Sequence, residues 1–144
     1  MILLGTDHLS VMKYRTGARA IRLRARLETA PAEAGPLGTT IVNVKEQMRG
    51  WLASIAKERH PRRLVAPYRD LTGLFEFFRG FAIAPFDEVA ADLFGSFSSI
   101  NIKATDRKVA AIALAQNALL LTANKRDFEK VPGLRFENWM DAPI

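Results

Sequence analysis

Residues 105–122, TDRKVAAIALAQNALLLT, decide the fold. Thr105 or Asp106 can start a helix here, the run DRKVAAIALAQ carries it, and Asn117 stops it. ALLLT then follows as an uninterrupted apolar run of strand length. A helix feeding a strand that is apolar on both faces belongs to a parallel sheet covered on both sides. Working outward, MILL at residues 1–4 is a second such strand, broken by Gly5-Thr6-Asp7, where Thr6 or Asp7 can cap a helix beginning near His8. That helix breaks near Gly17 and another carries AIRLRARL. APAEAGPLG (residues 30–38) is a loop. TTIVNV (residues 39–44) predicts a strand leading into a helix, with Val44, Met48, Trp51, Leu52 and Ile55 facing the core. His60-Pro61 ends that pattern, and residues 62–79 predict a helix with Leu64, Tyr68, Leu71, Phe75 and Phe78 on one face. FAIA (residues 81–84) is a short strand closed by Pro85, residues 87–97 are helical, and the tail with Phe136 and Trp139 ends in a short edge strand. Strands alternating with helices over residues 1–144 predict one three-layer α/β domain with a mainly parallel central sheet flanked by helices.

Composition narrows the function classes. The 144 residues contain no cysteine, which excludes a disulfide scaffold and thiolate metal sites, and two histidines, which makes structural zinc a poor fit. Lys and Arg number 21 against 15 Asp and Glu, a net charge of +6 that favours a polyanionic partner. No stretch approaches the ~20 apolar residues of a membrane span, and MILLGTDHLS turns polar too early for a secretory signal. The expectation is a cytoplasmic protein without a membrane partner.

In open parallel sheets the functional crevice lies beyond the carboxyl ends of the strands. The residues just past those ends are Gly5, Thr6 and Asp7, then Glu46, then Asp106, then Asn124 and Asp127. Carboxylates gathered from separate segments repel one another unless they are protonated or meet a cation. A hard divalent ion, Mg²⁺ or Mn²⁺, suits such a set and is an arrangement that cleaves phosphodiesters. Equally, an acidic residue at a helix N-terminus stabilises the helix by capping and by the dipole, at about 0.3–1 kcal/mol each. Spacing alone leaves both readings open.

The wording of these segments goes further. GTDHLS, TTIVNVKEQMRGWLA, ATDRKVAAIALAQNALLLTANKRDFEKVPGL and a final ENW resemble, in order and along almost the whole chain, the VapC-type toxins of the PIN-domain ribonuclease family. The likeness is weakest over residues 15–37. It implies an α/β PIN-like fold and the toxin half of a type II toxin–antitoxin pair: a divalent-metal-dependent endoribonuclease with Glu46, Asp106 and Asp127 as catalytic metal ligands. Asn124, Thr6, Thr40 and Thr122 would line the site, and Asp7 would support it by hydrogen bonding. At one position the chain departs from the family: Gly5 stands where the first acidic residue belongs. The resemblance therefore implies a weakened ribonuclease, with a silent PIN domain that binds RNA or antitoxin without cutting as the alternative.

Residues 13–26 hold six basic and no acidic residues. Arg15, Arg19, Arg22 and Arg26 recur near one helical face. The stripe reads as an RNA-backbone contact, a docking surface for an acidic antitoxin segment, or a solvated face. Phe75, Phe77, Phe78 and Phe81 read as core or as a dimer face, and with the family resemblance they imply a homodimer. Trp51 reads as core or as part of an antitoxin groove, His8 as a neighbour of the site, and His60 as a surface loop residue.

Overall fold

The computed structural model describes residues 1–14 and 16–142. In chain order the elements are β1 (Ile2–Leu4), α1 (Thr6–Tyr14), α2 (Gly17–Thr29), β2 (Leu37–Thr40), α3 (Ile41–Lys57), α4 (Val65–Phe78), β3 (Ala82–Ala84), α5 (Glu88–Ser96), α6 (Ala104–Ala115), β4 (Leu119–Leu121), α7 (Lys125–Phe128) and β5 (Phe136–Glu137). Single 3₁₀ turns at Ala32–Ala34 and Pro61–Leu64 complete the order. The five strands lie in the order β3–β2–β1–β4–β5, all parallel. This is the three-layer architecture expected from the alternation of elements.

The pleat assigns the core. Leu3 and Leu120 point to one face, where Val109–Ala113 of α6 are buried in succession together with Ala90 and Phe97. Ile2, Leu4 and Leu121 point to the other, against Leu9 of α1, Leu23 of α2, Trp139 and Met140. Each strand of the sheet centre is thus apolar on both sides, which is why MILL and ALLLT read as unbroken apolar runs. Gly38 sits where β2 meets β3; a Cβ there would lie 2.4 Å from the Ala82 carbonyl oxygen, so no side chain fits.

Three local readings are corrected. The strand expected over TTIVNV stops at Thr40, and IVNV forms the first turn of α3. Thr39 Oγ1 donates to the Leu4 carbonyl at 2.6 Å and Thr40 Oγ1 accepts from the Asn43 N–H at 3.1 Å, so the two hydroxyls finish the strand and cap the helix. Beyond Asn43, α3 is half-buried or exposed, and Leu52, expected in the core, is 49% exposed. On α4 the packed face runs Leu64, Pro67, Leu71, Leu74 and Phe78; Tyr68 and Phe75 lie one residue further round and face solvent. Phe77, Phe78 and Phe81 pack on one another with ring centroids 5.2–5.7 Å apart, leaving Phe75 outside that cluster.

Helix ends shift by smaller amounts. α1 begins at Thr6, with Leu9 N–H donating to the Gly5 carbonyl, so Asp7 lies in the first turn rather than at the cap. α6 begins at Ala104 and places Asp106 in its first turn. Asn117 stops α6 as expected, with a left-handed φ of 49°.

Candidate functional site

Strand order reverses at β1, whose neighbours β2 and β4 continue to opposite sides. The crevice of such a sheet opens at the carboxyl ends of β1 and β4. A cavity of about 540 Å³ lies there, walled by Gly5 and Thr6 after β1, Asn43 and Glu46 from α3, Asp106 from α6, and Thr122 and Asn124 after β4. Segments distant in sequence meet at one sheet edge because every strand runs parallel, so each ends on that same edge.

Asp7 is the structural tie of the site. Its Oδ1 accepts from the His8 N–H and faces His8 Nδ1, both at 2.7 Å, and its Oδ2 accepts from the Ala123 N–H at 2.8 Å and the Thr122 hydroxyl at 3.4 Å. Burial alone would raise its pKa, but the hydrogen bonds from His8 and Ala123 outweigh burial and hold it below the ordinary carboxylate value. A depressed carboxyl contributes stability that is complete above about pH 4 and is lost as pH falls further. His8, fully buried, sits next to the site as expected; its Nε2 accepts the Trp139 N–H at 3.1 Å. A backbone N–H can only donate, so the ring proton lies on Nδ1, toward Asp7.

Glu46 and Asp106 face the cavity. Glu46 Oε2 lies 3.7 Å from Arg49 Nη1, one helical turn on, and Arg49 and Lys103 form the cationic part of the wall. Asp106 is pushed above the ordinary carboxylate value by burial first, then by the negative charges of Asp127 and Asp7, with Lys103 opposing. Asp127 stands behind Asn124: its Oδ2 accepts from Asn124 Nδ2 at 3.0 Å, and Lys130 Nζ lies 3.8 Å from Oδ1. Asn124 N–H in turn donates to Thr122 Oγ1. Thr40 is buried at the base of the wall, its hydroxyl donating to Asn43 Oδ1 at 2.6 Å, while Asn43 Nδ2 donates to Thr6 Oγ1 at 3.1 Å.

Of the acidic set, Glu46 and Asp106 line the cavity wall, while Asp127 is not on that wall and acts there through its charge on Asp106. Among the described residues no three acidic or histidine side chains form a group that could hold a metal ion. Asp7 has spent both oxygens and Gly5 offers none. Glu46 and Asp106 are two hard oxygen donors on one cavity wall, the kind of donor that a small, strongly hydrated Mg²⁺ or Mn²⁺ takes with water completing its shell. The pKa of Asp106 is raised by burial first and by the charges of Asp127 and Asp7 after it, and a cation would offset the charge contribution.

That charge gives a prediction. A raised carboxyl works against folding once pH rises through the ordinary value toward its folded pKa, and is neutral to folding below the ordinary value. Asp106→Asn is expected to raise the melting temperature at pH 7 by about 2 °C, a modest gain because the group is partly solvated. Thermal melts should show the gain vanishing below about pH 4; an unchanged or lower melting temperature at pH 7 would refute it.

Asn43, Arg49 and Lys103 are not legible as site residues in the sequence. Asn43 and Glu46 stand three apart, which places them on one helix face only once IVNV is helical. The arginine stripe is largely engaged with the chain itself. Arg19 Nε and Nη2 reach the Asp141 carboxylate at 2.9 and 3.2 Å, Arg22 donates to the Met140 carbonyl at 3.4 Å, and the Arg26 guanidinium lies 4.8 Å from the Trp139 ring centroid. Arg15 lies outside the described residues. Trp51 is half-buried beside a shallow cleft shared with Glu46, with Lys13 Nζ 5.7 Å from its ring. His60 is exposed, as expected. No described helix is long and apolar enough to cross a membrane.

No curated protein is a significant match to the sequence. Among solved structures the fold is similar to VapBC-1 from nontypeable Haemophilus influenzae, with a TM-score of 0.73, 19% identity, and 98% of this chain and 100% of that chain covered. A DNA-bound VapBC from Salmonella typhimurium gives 0.71 at 22% identity, with 96% and 97% covered. FitAcB from Neisseria gonorrhoeae gives 0.67 at 22%, with 96% and 99% covered. A family model described as PIN domain matches residues 10–134.

Proposed function

The chain belongs to the PIN-domain family, and from that membership we propose that it is a single-domain VapC-type toxin of a toxin–antitoxin pair, a cytoplasmic, metal-dependent endoribonuclease weakened by Gly5. The observation that carries this reading is the cavity at the β1–β4 switch, where Glu46 and Asp106 share a wall with Arg49 and Lys103. Carboxylates to hold a cation and cations to receive phosphate in one cavity suit a phosphodiester substrate.

In this reading Glu46 and Asp106 hold Mg²⁺ (or Mn²⁺). Asp127 adds negative charge from behind Asn124. When bound, the ion polarises the phosphodiester and supplies an activated water. Arg49 and Lys103 bind the flanking phosphates. Thr40 and Asn43 fix the Thr6 hydroxyl at the rim, and the Asp7–Thr122–Asn124 chain of hydrogen bonds fixes the opposite rim. Position 5, central between them, contributes no oxygen.

A cognate antitoxin is proposed as the partner, in keeping with the VapBC and FitAcB structures that share the fold. Homodimer formation is supported by the apolar side chains Val65, Tyr68 and Phe75, 51–63% exposed on α4. Incubation with bulk RNA is the test: slow cleavage that needs Mg²⁺ or Mn²⁺ and stops with EDTA is expected. The absence of a three-carboxylate group among the described residues favours one second reading, a silent PIN domain. RNA bound but uncut at saturating metal would establish that reading in place of the first.

A further inference from the structure

The helices α3 and α4 are joined through KERHPRR, residues 57–63, which holds four basic residues and one acidic. Its backbone is fixed locally. Glu58 Oε1 accepts the N–H groups of Arg59 and His60 at 3.1 and 2.9 Å, and the Arg63 N–H donates to the His60 carbonyl at 3.0 Å. Pro61 opens the 3₁₀ turn with its φ already set. The one carboxylate thus caps the turn, while Lys57, Arg59, Arg62 and Arg63 are exposed and have no carboxylate within ion-pair distance among the described residues. Of the acidic side chains on α4, Asp70 is half-buried in the second turn and Glu76 is paired with Arg79 at 3.2 Å. A path links this cationic tip to the acidic cavity. Glu46 lines that cavity and also a cleft of about 320 Å³, walled by Ser10 and Lys13 of α1 and by Gln47, Gly50 and Ser54 of α3. Gly50 keeps the cleft open, since a Cβ there would meet nothing within 4 Å. Ser54 stands one turn before Lys57. Glu46 and Lys57 are separated by three helical turns, which puts them on one face of α3 and about 16 Å apart.

We infer that the tip is an anchor for the phosphate backbone of RNA that leaves the acidic cavity along this cleft, with Arg59, Arg62 and Arg63 as its contacts; this rests on the RNA reading above and extends it to a surface that needs no metal. Guanidinium forks match phosphate oxygens, and each phosphate neutralised releases counterions. Backbone contacts position a strand without reading its bases, so the anchor acts on RNA of any sequence long enough to span from the cavity to the tip. An acidic protein segment could meet the same charges. The shared Glu46 wall favours RNA, because it makes the tip continuous with the cavity where the phosphodiester is held.

The experiment is fluorescence anisotropy of a labelled twelve-nucleotide oligouridylate across a salt series, in EDTA so that no cleavage intervenes. Replacing Arg62→Gln and Arg63→Gln together is expected to lower the slope of log affinity against log salt by about 1.4, the value for two phosphate contacts on a single strand, and so to weaken binding about 25-fold at 0.1 M salt. Both side chains are exposed, so the fold should be unaffected. Arg24→Gln with Arg79→Gln removes the same charge from α2 and from the end of α4, and should change the slope little. An equal loss in that control would reduce the effect to net charge and overturn the anchor. Unchanged affinity and slope in the Arg62 and Arg63 variant would overturn it while leaving the RNA reading standing. No binding in EDTA by the unaltered chain would also overturn it, and cleavage of the same oligonucleotide in Mg²⁺ then decides the RNA reading separately. Tighter binding of a polyglutamate peptide than of RNA, lost in the Arg62 and Arg63 variant, would assign the tip to an acidic protein segment and overturn the anchor too.

Discussion

Gly5→Asp is expected to cleave RNA at least ~100-fold faster than the unaltered chain in Mg²⁺, a gain of about 2.7 kcal/mol in barrier terms. Position 5 lines the same cavity as Glu46 and Asp106, beside Thr6, Asp7 and Thr122, so a carboxylate there would join theirs. Its φ lies outside the left-handed region, so the backbone accepts a side chain. Space is tighter: a Cβ at Gly5 would stand 3.0 Å from the Leu121 carbonyl oxygen, the same oxygen that accepts the Gly5 N–H at 2.9 Å. The end of β4 must yield by a few tenths of an ångström. Gly5→Ala imposes the same crowding without the carboxylate and is expected to cleave no faster than the unaltered chain. Expression of the Gly5→Asp chain alone is expected to arrest growth. Equal rates for the unaltered and Gly5→Asp chains, each verified as folded, would show that position 5 is not a ligand position in this protein.

His8→Ala is expected to destabilise the fold by about 3 kcal/mol. The ring is fully buried, so truncation leaves a cavity, the Trp139 N–H loses its partner, and Asp7 Oδ1 keeps only the backbone N–H of residue 8. His8→Leu separates the two contributions, since it restores volume but neither hydrogen bond. Urea unfolding should place it between the unaltered chain and His8→Ala. A His8→Leu chain as stable as the unaltered one would mean that the Asp7–His8–Trp139 link contributes nothing to stability.

Much of this architecture is legible in residue patterns, and the failures have specific causes. MILL and ALLLT identify the sheet centre because strands covered on both faces must be apolar throughout. Asn117 and Pro85 mark real stops because each acts through its own backbone. TTIVNV misleads because β-branched residues favour strands only until a side-chain hydroxyl offers the backbone a cap, and Thr40 does so. Leu64, Leu71 and Phe78 are placed correctly on the α4 stripe, and Tyr68 and Phe75 are misplaced because aromatic side chains that face solvent carry the same hydropathy as buried ones. The carboxylates of the site follow from strand ends, a topological argument. The capture of Arg19 by Asp141, 122 residues away, does not, because a salt bridge between distant surface segments leaves no periodicity to read.

The position of β1 also sets the order in which the domain can form. β1 precedes the other strands in chain order, yet it pairs on one side with β2, about 35 residues later, and on the other with β4, about 117 residues later. Closing the second pairing carries a large loop entropy, and parallel sheets with such separations fold slowly. On a ribosome, Leu3 and Leu4 wait with one edge bare until residue 121 emerges. The acidic cavity, which needs both neighbours of β1, is therefore among the last features of this domain to assemble, and a nascent chain lacks its Thr122–Asn124 wall until residues 122–124 have emerged.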